Sequence, residues 1–307
     1  MNEHMKVRET IHKNISNKKN IIERIMPVFF FVMASISVIT TIGILLTLLV
    51  DASKFFAAVP IKEIFSTDLA PLNADPSFGI LPLINGTIFT TIIAILVAAP
   101  IGLAAAIYLS QFASDRTRRL LKPIIEVLAG IPTIVYGFFA YSFVTPLLMK
   151  IIPSLDAKNV LSPGIVMGIM IIPLITSVSE DAMNAVPEIM KEGAFGLGST
   201  KLEVALKVVI PGAISGIMAS IVLGISRAIG ETMIVTIASG SSKNFTFDIT
   251  KSMQTMTGYI VEFTSGDAAS GTTGYYSLYA VGLILFVFTL GMNMLAQYIS
   301  NKYREEY

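Results

Sequence analysis

Uninterrupted apolar runs of about twenty residues constrain the fold of this chain more than any other feature of its sequence. A run of this length suits a membrane-spanning helix, because a helix satisfies its own backbone hydrogen bonds inside lipid. The composition agrees, since 53% of the 307 residues are hydrophobic and only 14% are charged. The sequence therefore predicts an all-α polytopic membrane protein with six transmembrane helices, near residues 26–50, 82–109, 123–149, 161–179, 212–237 and 278–299.

The polar stretches between these runs set the expected organisation. We expect a tail over residues 1–25, a first transmembrane helix over 26–50, an extracytoplasmic loop over 51–81 and a C-terminus over 300–307. Residues 82–299 form the predicted core of five spans, and they contain a polar loop at 180–211. Pro100 is expected to kink the second span. The three tyrosines at the start of the last run are typical of a membrane interface: Tyr275, Tyr276 and Tyr279.

The positions of the basic residues predict the orientation. The tail, the two loops at residues 110–122 and 180–211, and the C-terminus together carry 15 lysines and arginines, against 6 in the three opposite loops. Since basic residues accumulate on the cytoplasmic side, both termini and the 180–211 loop are predicted to be cytoplasmic. The protein is then predicted to be a multi-pass component of a cell membrane.

Several kinds of site are disfavoured by the sequence. The chain has no cysteine, and its two histidines, His4 and His12, lie in the polar tail, so neither a metal nor a cofactor is expected. No GxxxxGK[ST] motif is present, so the chain has no phosphate-binding loop of its own for ATP. The net charge of +1 gives no sign of a nucleic-acid partner.

The acidic residues beside the apolar runs have a structural interpretation. Glu126 follows Lys122 by four residues, a spacing that predicts a helical ion pair at the interface. Glu180 and Asp181 are interpreted as capping the fourth span at the cytoplasmic surface. A membrane enzyme would need clustered acidic residues or histidines, and this pair is the only adjacent acidic pair close to an apolar run.

The 180–211 loop contains a spaced motif. Its pattern resembles the EAA loop of ABC importer permeases, which is E-A-A, three residues, Gly, nine residues and I-x-L-P. That resemblance implies a short helix that docks on a separate cytoplasmic ATPase. We expect a helix over Met183–Phe195 with Val186, Met190 and Ala194 on one side, and a helix stop at a glycine. The matching residues are Glu192, Gly193, Ala194, Gly198, Ile210 and Pro211.

The fifth span combines a small-residue face with two charges. Small residues at four-residue intervals predict a close approach by another helix: Gly216, Ser220, Gly224 and Ala228. Beside that face lie Arg227 and Glu231, which one helical turn would bring together. An arginine inside a span is costly, so it indicates either an internal pair that locks helices together or a charge that faces a polar pathway.

A narrower resemblance rests on residues 226–233, SRAIGETM, with support from residues 126–140 and 251–283. These stretches are similar to phosphate ABC importer permeases of the PstC type, and the sister permease of that system is similar in outline. The resemblance implies the MetI-like type I importer fold and no enzymatic activity in the chain itself. The implied partners are a second permease, a pair of ATP-binding subunits and an extracytoplasmic phosphate-binding protein. It also links Arg227 and Glu231 to phosphate passage.

Two other functions stay open at this stage. A permease for another oxyanion, sulfate or molybdate, would need the same positive charge in its pathway. An ATP-independent channel or secondary carrier would not need a docking loop, and carriers often contain inverted repeats, which this sequence does not show.

Overall fold

The computed structural model describes residues 21–267 and 269–302. Most of the predicted tail and residues 303–307 of the C-terminus lie outside these ranges. The chain divides into two compact units, residues 1–50 and 51–307. Helix α1, Ile21–Ala58, supplies all the described residues of the first unit and continues into the second. The predicted first span, residues 26–50, lies within α1.

The second unit contains helices and one small hairpin. The first part comprises α2 Ile61–Ile64, the antiparallel strands β1 Leu69–Ala70 and β2 Ser77–Phe78, α3 Leu81–Ile107, α4 Asp115–Gly130, α5 Thr133–Phe139, α6 Thr145–Met149 and α7 Leu161–Asn184. The second part comprises α8 Glu188–Gly196, α9 Lys201–Val204, α10 Ile210–Gly212, α11 Ile214–Ile229, α12 Met233–Ala238, α13 Met256–Glu262 and α14 Thr273–Lys302. Short π-helical turns follow α3, α5, α9 and α13. The fold is thus all-α apart from the two-residue strands.

Four described helices are long and apolar enough to cross a membrane, and two bent helix pairs raise the number to six if each pair is one span. The four are Ile25–Ala58, Leu81–Phe112, Leu161–Asn184 and Thr273–Ile299. Pro100 lies inside the second of these, within one continuous helix. Tyr275, Tyr276 and Tyr279 lie in the first two turns of α14.

The predicted third span is not one straight helix. Its residues belong to α4 and to the α5–α6 segment, which meet at an angle of 87°. The cause is Ile131-Pro132, because a residue before proline is pushed out of the helical conformation, and Ile131 is extended, with φ −72° and ψ 129°. The predicted fifth span, residues 212–237, also differs from the structure. The second bent pair is Lys201–Gly212 with Ile214–Ile229, at an angle of 71°. A further break follows, since α11 ends at Ile229 and α12 begins at Met233.

Three apolar clusters form the core of the second unit. One joins the end of α1 and the hairpin to α13 and α14, and it includes Phe55, Phe78 and Tyr259. The middle cluster joins α3, α5, α7, α11 and α12. The third lies at the other end of α7, where Met183, Val186 and Val209 of the 180–211 loop pack with Ile217 of α11. The break in the fifth span and the 180–211 loop are therefore both attached to α7.

Candidate functional site

Arg227 lies in the last turn of α11, where the negative end of the helix dipole favours a cation. Its side chain is exposed, although it belongs to an apolar span. Within the described part of the chain it forms no ion pair. A permanent positive charge on such a surface would attract an anion.

Glu231 caps α12 instead of pairing with Arg227. Its Oε1 atom accepts hydrogen bonds from the backbone N–H groups of Met233 at 3.1 Å and Ile234 at 3.3 Å. The residue is only 8% exposed. The prediction that one helical turn brings Arg227 and Glu231 into a pair is wrong, because the helix stops at Ile229 before that turn is complete.

Side chains from neighbouring elements hold the break at residues 230–232 in place. The Thr257 hydroxyl, on α13, donates to the carbonyl oxygen of Glu231 at 2.7 Å. Ser226, next to Arg227, donates to Asn293 Oδ1 on α14 at 2.8 Å. Hydrogen bonds from α13 and to α14 therefore fix the residues on either side of the end of α11.

An ordered segment without regular structure, residues 239–255, follows α12 and packs against other elements. Met253, Gln254 and Thr255 in this segment are buried. Lys251 pairs with Asp156 at 3.2 Å. Hydrogen bonds from the Thr250 hydroxyl and backbone N–H hold the pKa of Asp248 below its usual value. This segment leads into α13, and thus to the Thr257 hydroxyl that bonds Glu231.

The small residues of α11 bring this helix close to α7. The hydroxyls of Ser220 and Ser179 are 2.8 Å apart and buried. A Cβ atom added at Gly216 would lie 2.3 Å from Ala182 Cβ, far closer than packed carbons approach. Gly224 faces isoleucines of α3 and α7, and Ala228 is buried in the middle cluster. The predicted small-residue face is thus the contact surface between α11 and α7.

The docking motif forms α8, which is shorter than the predicted Met183–Phe195 helix. Helix α7 continues to Asn184, and Pro187 then stands at the N-cap of α8. Proline lacks an N–H group, so it is favoured at a helix start, where no intrahelical hydrogen bond is lost. Gly198 ends α8 with φ +87°. The N–H groups of Gly198 and Ser199 donate to Phe195 and Ala194 at 2.9 and 3.1 Å, the pairing typical of a glycine helix stop.

Helix α8 presents apolar side chains outward. Ile189 is 77% exposed and Leu197 is 90% exposed, and Phe195 is also exposed. Val186 and Ala194 face inward, towards the third apolar cluster, whereas Met190 is partly exposed. The sequence analysis placed Val186, Met190 and Ala194 on one side but did not identify Ile189, Phe195 and Leu197 as exposed. These apolar residues differ from the buried ones only in their position around the helix.

The remaining motif residues differ in their surroundings. Glu192 is exposed, and a Cβ atom at Gly193 would meet nothing within 4 Å, so alanine fits there. Ile210 packs against the third apolar cluster, and Pro211 lies in the first turn of α10. The end of the motif therefore anchors the loop, while its beginning is exposed.

A buried carboxylate joins α4 to the end of α7. Glu180 is fully buried, and its oxygens lie 2.6 Å from Arg118 Nη2 and 3.1 Å from Lys122 Nζ. Lys122 also approaches Asp181 at 3.7 Å. Both sequence interpretations need correction: Lys122 pairs with Glu180 and Asp181, not with Glu126, and Glu180 is not a surface cap. The spacing could not show this, because the partners come from different polar loops.

Comparison with known proteins assigns the chain to a family. The model of the binding-protein-dependent transport system inner membrane component family matches residues 98–305. The chain belongs to this family. The matched range includes Arg227, Glu231 and the whole docking motif.

Individual relatives of this transport family cover most of the chain. A probable ABC transporter permease of Bacillus subtilis, YqgH, is 34% identical over 79% of this chain and 78% of its own. The phosphate transport system permease protein PstC of Mesorhizobium japonicum is 36% identical over 72% and 73%. A probable PstC of Methanocaldococcus jannaschii is 32% identical over 85% and 90%.

Solved structures share the permease fold. A chain of a bacterial alginate ABC transporter superposes with a TM-score of 0.61 at 15% identity, over 92% of this chain and 97% of that one. A chain of the MetNI methionine ABC transporter, in an inward-facing conformation, gives 0.54 at 13% identity, over 74% and 95%. The fold is that of MetI-like ABC transporter permeases, as predicted.

Proposed function

We propose that this chain is the permease subunit of an ATP-driven importer of inorganic phosphate and forms half of the translocation pathway. The observation that carries this proposal is the identity of 32–36% with proteins named as PstC phosphate permeases, over most of the chain. The exposed arginine at the end of α11 gives the proposal a chemical basis, because a guanidinium matches two phosphate oxygens at once.

Arg227 is the proposed phosphate contact in the pathway. Since it has no carboxylate partner among the described residues, an arriving anion need not displace one. Glu231 has a different proposed role. By accepting two backbone N–H groups of α12 it fixes the break that ends α11, and so it sets where Arg227 stands. Its negative charge beyond the arginine would also discourage the site from retaining phosphate.

The exposure of Arg227 supports the need for a second permease. An arginine open to lipid would be costly, so a homologous subunit is expected to cover this side of α11 and close the pathway. We further propose that both termini and residues 180–211 lie in the cytoplasm. There the exposed apolar side chains of α8 would enter a groove of the ATP-binding subunit, as amphipathic helices commonly do.

Uptake by the complete complex tests this proposal. The chain, its sister permease and the ATP-binding pair would be reconstituted in vesicles with the phosphate-binding protein outside. Phosphate should enter only when ATP is supplied inside, whereas sulfate and molybdate should not enter. Uptake of sulfate or molybdate in place of phosphate would show that the substrate is that oxyanion and not phosphate. Phosphate uptake without ATP and without the ATP-binding pair would favour a channel or carrier instead.

A further inference from the structure

A polar cavity separate from the proposed pathway lies beside the docking helix. Its volume is about 470 Å³, and it is an open cleft lined by the π-helical turn after α3, by α4, the end of α7, α8 and the start of α9. The groups that matter for its chemistry are Arg118, Lys191, Lys201, Gln111 and Glu188. None of them belongs to the break that carries Arg227 and Glu231.

Positive charge dominates the cavity wall. Lys191 is only 12% exposed, and its partner Glu188, at 3.0 Å, is 71% exposed. Arg118 directs one nitrogen to the buried Glu180. Lys201 forms no ion pair in the described part of the chain. Three cations thus face a space whose wall contains one carboxylate, an arrangement that attracts an anion.

An unsatisfied donor lies in the same wall. The Gln111 Nε2 atom is buried and has no hydrogen-bond partner among the residues that the structure describes. Buried amide groups are rarely left unpaired, because the loss of water is then uncompensated. An oxygen of a bound ligand would supply the missing acceptor. The charges and the amide are independent observations, and both call for a ligand with several acceptor oxygens.

The cavity lies on the side of the docking helix opposite Ile189, and the exposed Phe195 forms part of its wall. Residues of a helix are separated by about 100° around its axis, so Ile189 and Gly193 point roughly opposite to Lys191. Ile189 is strongly exposed, whereas Lys191 is nearly buried. An ATP-binding subunit that contacts the Ile189 side would therefore leave the cavity between α8 and α4 in place.

We propose that this cavity binds a phosphate-type oxyanion, either free inorganic phosphate or the headgroup of an anionic phospholipid. Arg118 and Lys201 contact its oxygens, the Gln111 amide donates to one of them once its side chain turns into the cavity, and Lys191 contributes a nearby charge. The bound anion links α4 to α8 and α9, and so fixes the position of the docking helix. Binding itself goes beyond the proposed transport function; only an effect on transport would rest on that function.

The first arm of the test measures inorganic phosphate binding. The full chain with Arg227→Gln, which removes the proposed pathway contact, is placed in phosphatidylcholine nanodiscs without partners or ATP. Radiolabelled phosphate should bind saturably, and Lys201→Gln should weaken binding about tenfold or more, as expected for a charged hydrogen bond. Gln111→Leu should also weaken it. Lys207→Gln is the matched control, since Lys207 is 73% exposed, pairs with Glu203 in the same loop and does not line the cavity.

The second arm identifies the source of the anion. Nanodiscs containing phosphatidic acid are analysed by native mass spectrometry for lipid retained by the chain. If the headgroup is the occupant, phosphatidic acid is retained, competes with phosphate, and is lost with Lys201→Gln. If free phosphate is the occupant, phosphatidic acid leaves phosphate binding unchanged.

The proposal is overturned if the Lys201→Gln and Gln111→Leu variants bind both phosphate and phosphatidic acid as well as the Lys207→Gln control does. Misfolding does not confuse this result, because Lys201 is an exposed side chain and Gln111→Leu removes an unsatisfied donor. Since no transport is measured, failure here leaves the proposed phosphate importer untouched.

Discussion

Removing the cations that face Glu180 tests whether this buried carboxylate holds α4 against α7. Glu180 is fully buried, whereas the side chains of Arg118 and Lys122 are 40% and 30% exposed. The double variant Arg118→Gln/Lys122→Gln would leave the carboxylate buried and uncompensated, a change that costs about 3–5 kcal/mol. Glu180→Gln would instead leave two cations that can turn to water. We expect that variant to cost only about 1–2 kcal/mol, after allowing for solvent screening.

The assay is unfolding of the purified full chain in detergent micelles, followed by circular dichroism as denaturant is added. The control is Arg116→Gln/Arg119→Gln, which removes two exposed charges from the same helix and should change stability by less than about 0.5 kcal/mol. The reasoning fails if the Arg118→Gln/Lys122→Gln variant is no less stable than Glu180→Gln or than this control.

Three further substitutions test the loop, the packing and the span break. Gly198→Val places a β-branched side chain at φ +87° and should reduce co-purification of the ATP-binding subunit. Gly193→Ala should not, because the added Cβ atom has no neighbour within 4 Å. Equal co-purification of the two variants would contradict the docking role. Gly216→Val should destabilise the chain by about 1–3 kcal/mol, measured by thermal unfolding, because its Cβ would collide with Ala182. Glu231→Ala should lose about 0.5–2 kcal/mol of stability, because the hydrogen bonds that cap α12 are missing. Glu231→Gln keeps an acceptor oxygen and should lose less. Equal losses of stability in denaturant unfolding would argue against capping.

The apolar runs predicted most of the membrane architecture. Hydropathy located the four long apolar helices and both bent helix pairs, which make six spans if each pair is one, because spanning helices must be long and apolar. It could not locate the breaks, since a window average does not distinguish a bent span from a straight one. The break at Ile131-Pro132 had a local signal in its proline. The one at residues 230–232 had a weaker signal, because Glu231 could be read either as a helical partner of Arg227 or as the cap of a new helix.

The site was predictable where it depended on local geometry. The left-handed Gly198 and the small-residue face of α11 follow from helix periodicity and from the conformational range of glycine. The Glu180 ion pairs and the cavity beside α8 depend on contacts between separate loops, which spacing alone does not specify. The outward position of Ile189 also depends on which side of α8 meets the core.

Phosphate uptake per assembled complex by the Arg227→Gln variant tests the account most directly. The complex with its sister permease and ATP-binding pair is quantified in vesicles, and uptake is divided by the amount assembled. Because Arg227 forms no ion pair within the described residues, the fold of the chain should remain normal, and dividing by the assembled amount removes any effect of the substitution on assembly. Uptake per complex should fall to background, and Arg227→Lys should recover only a small part of it. Normal uptake per assembled Arg227→Gln complex would contradict the pathway role of this arginine.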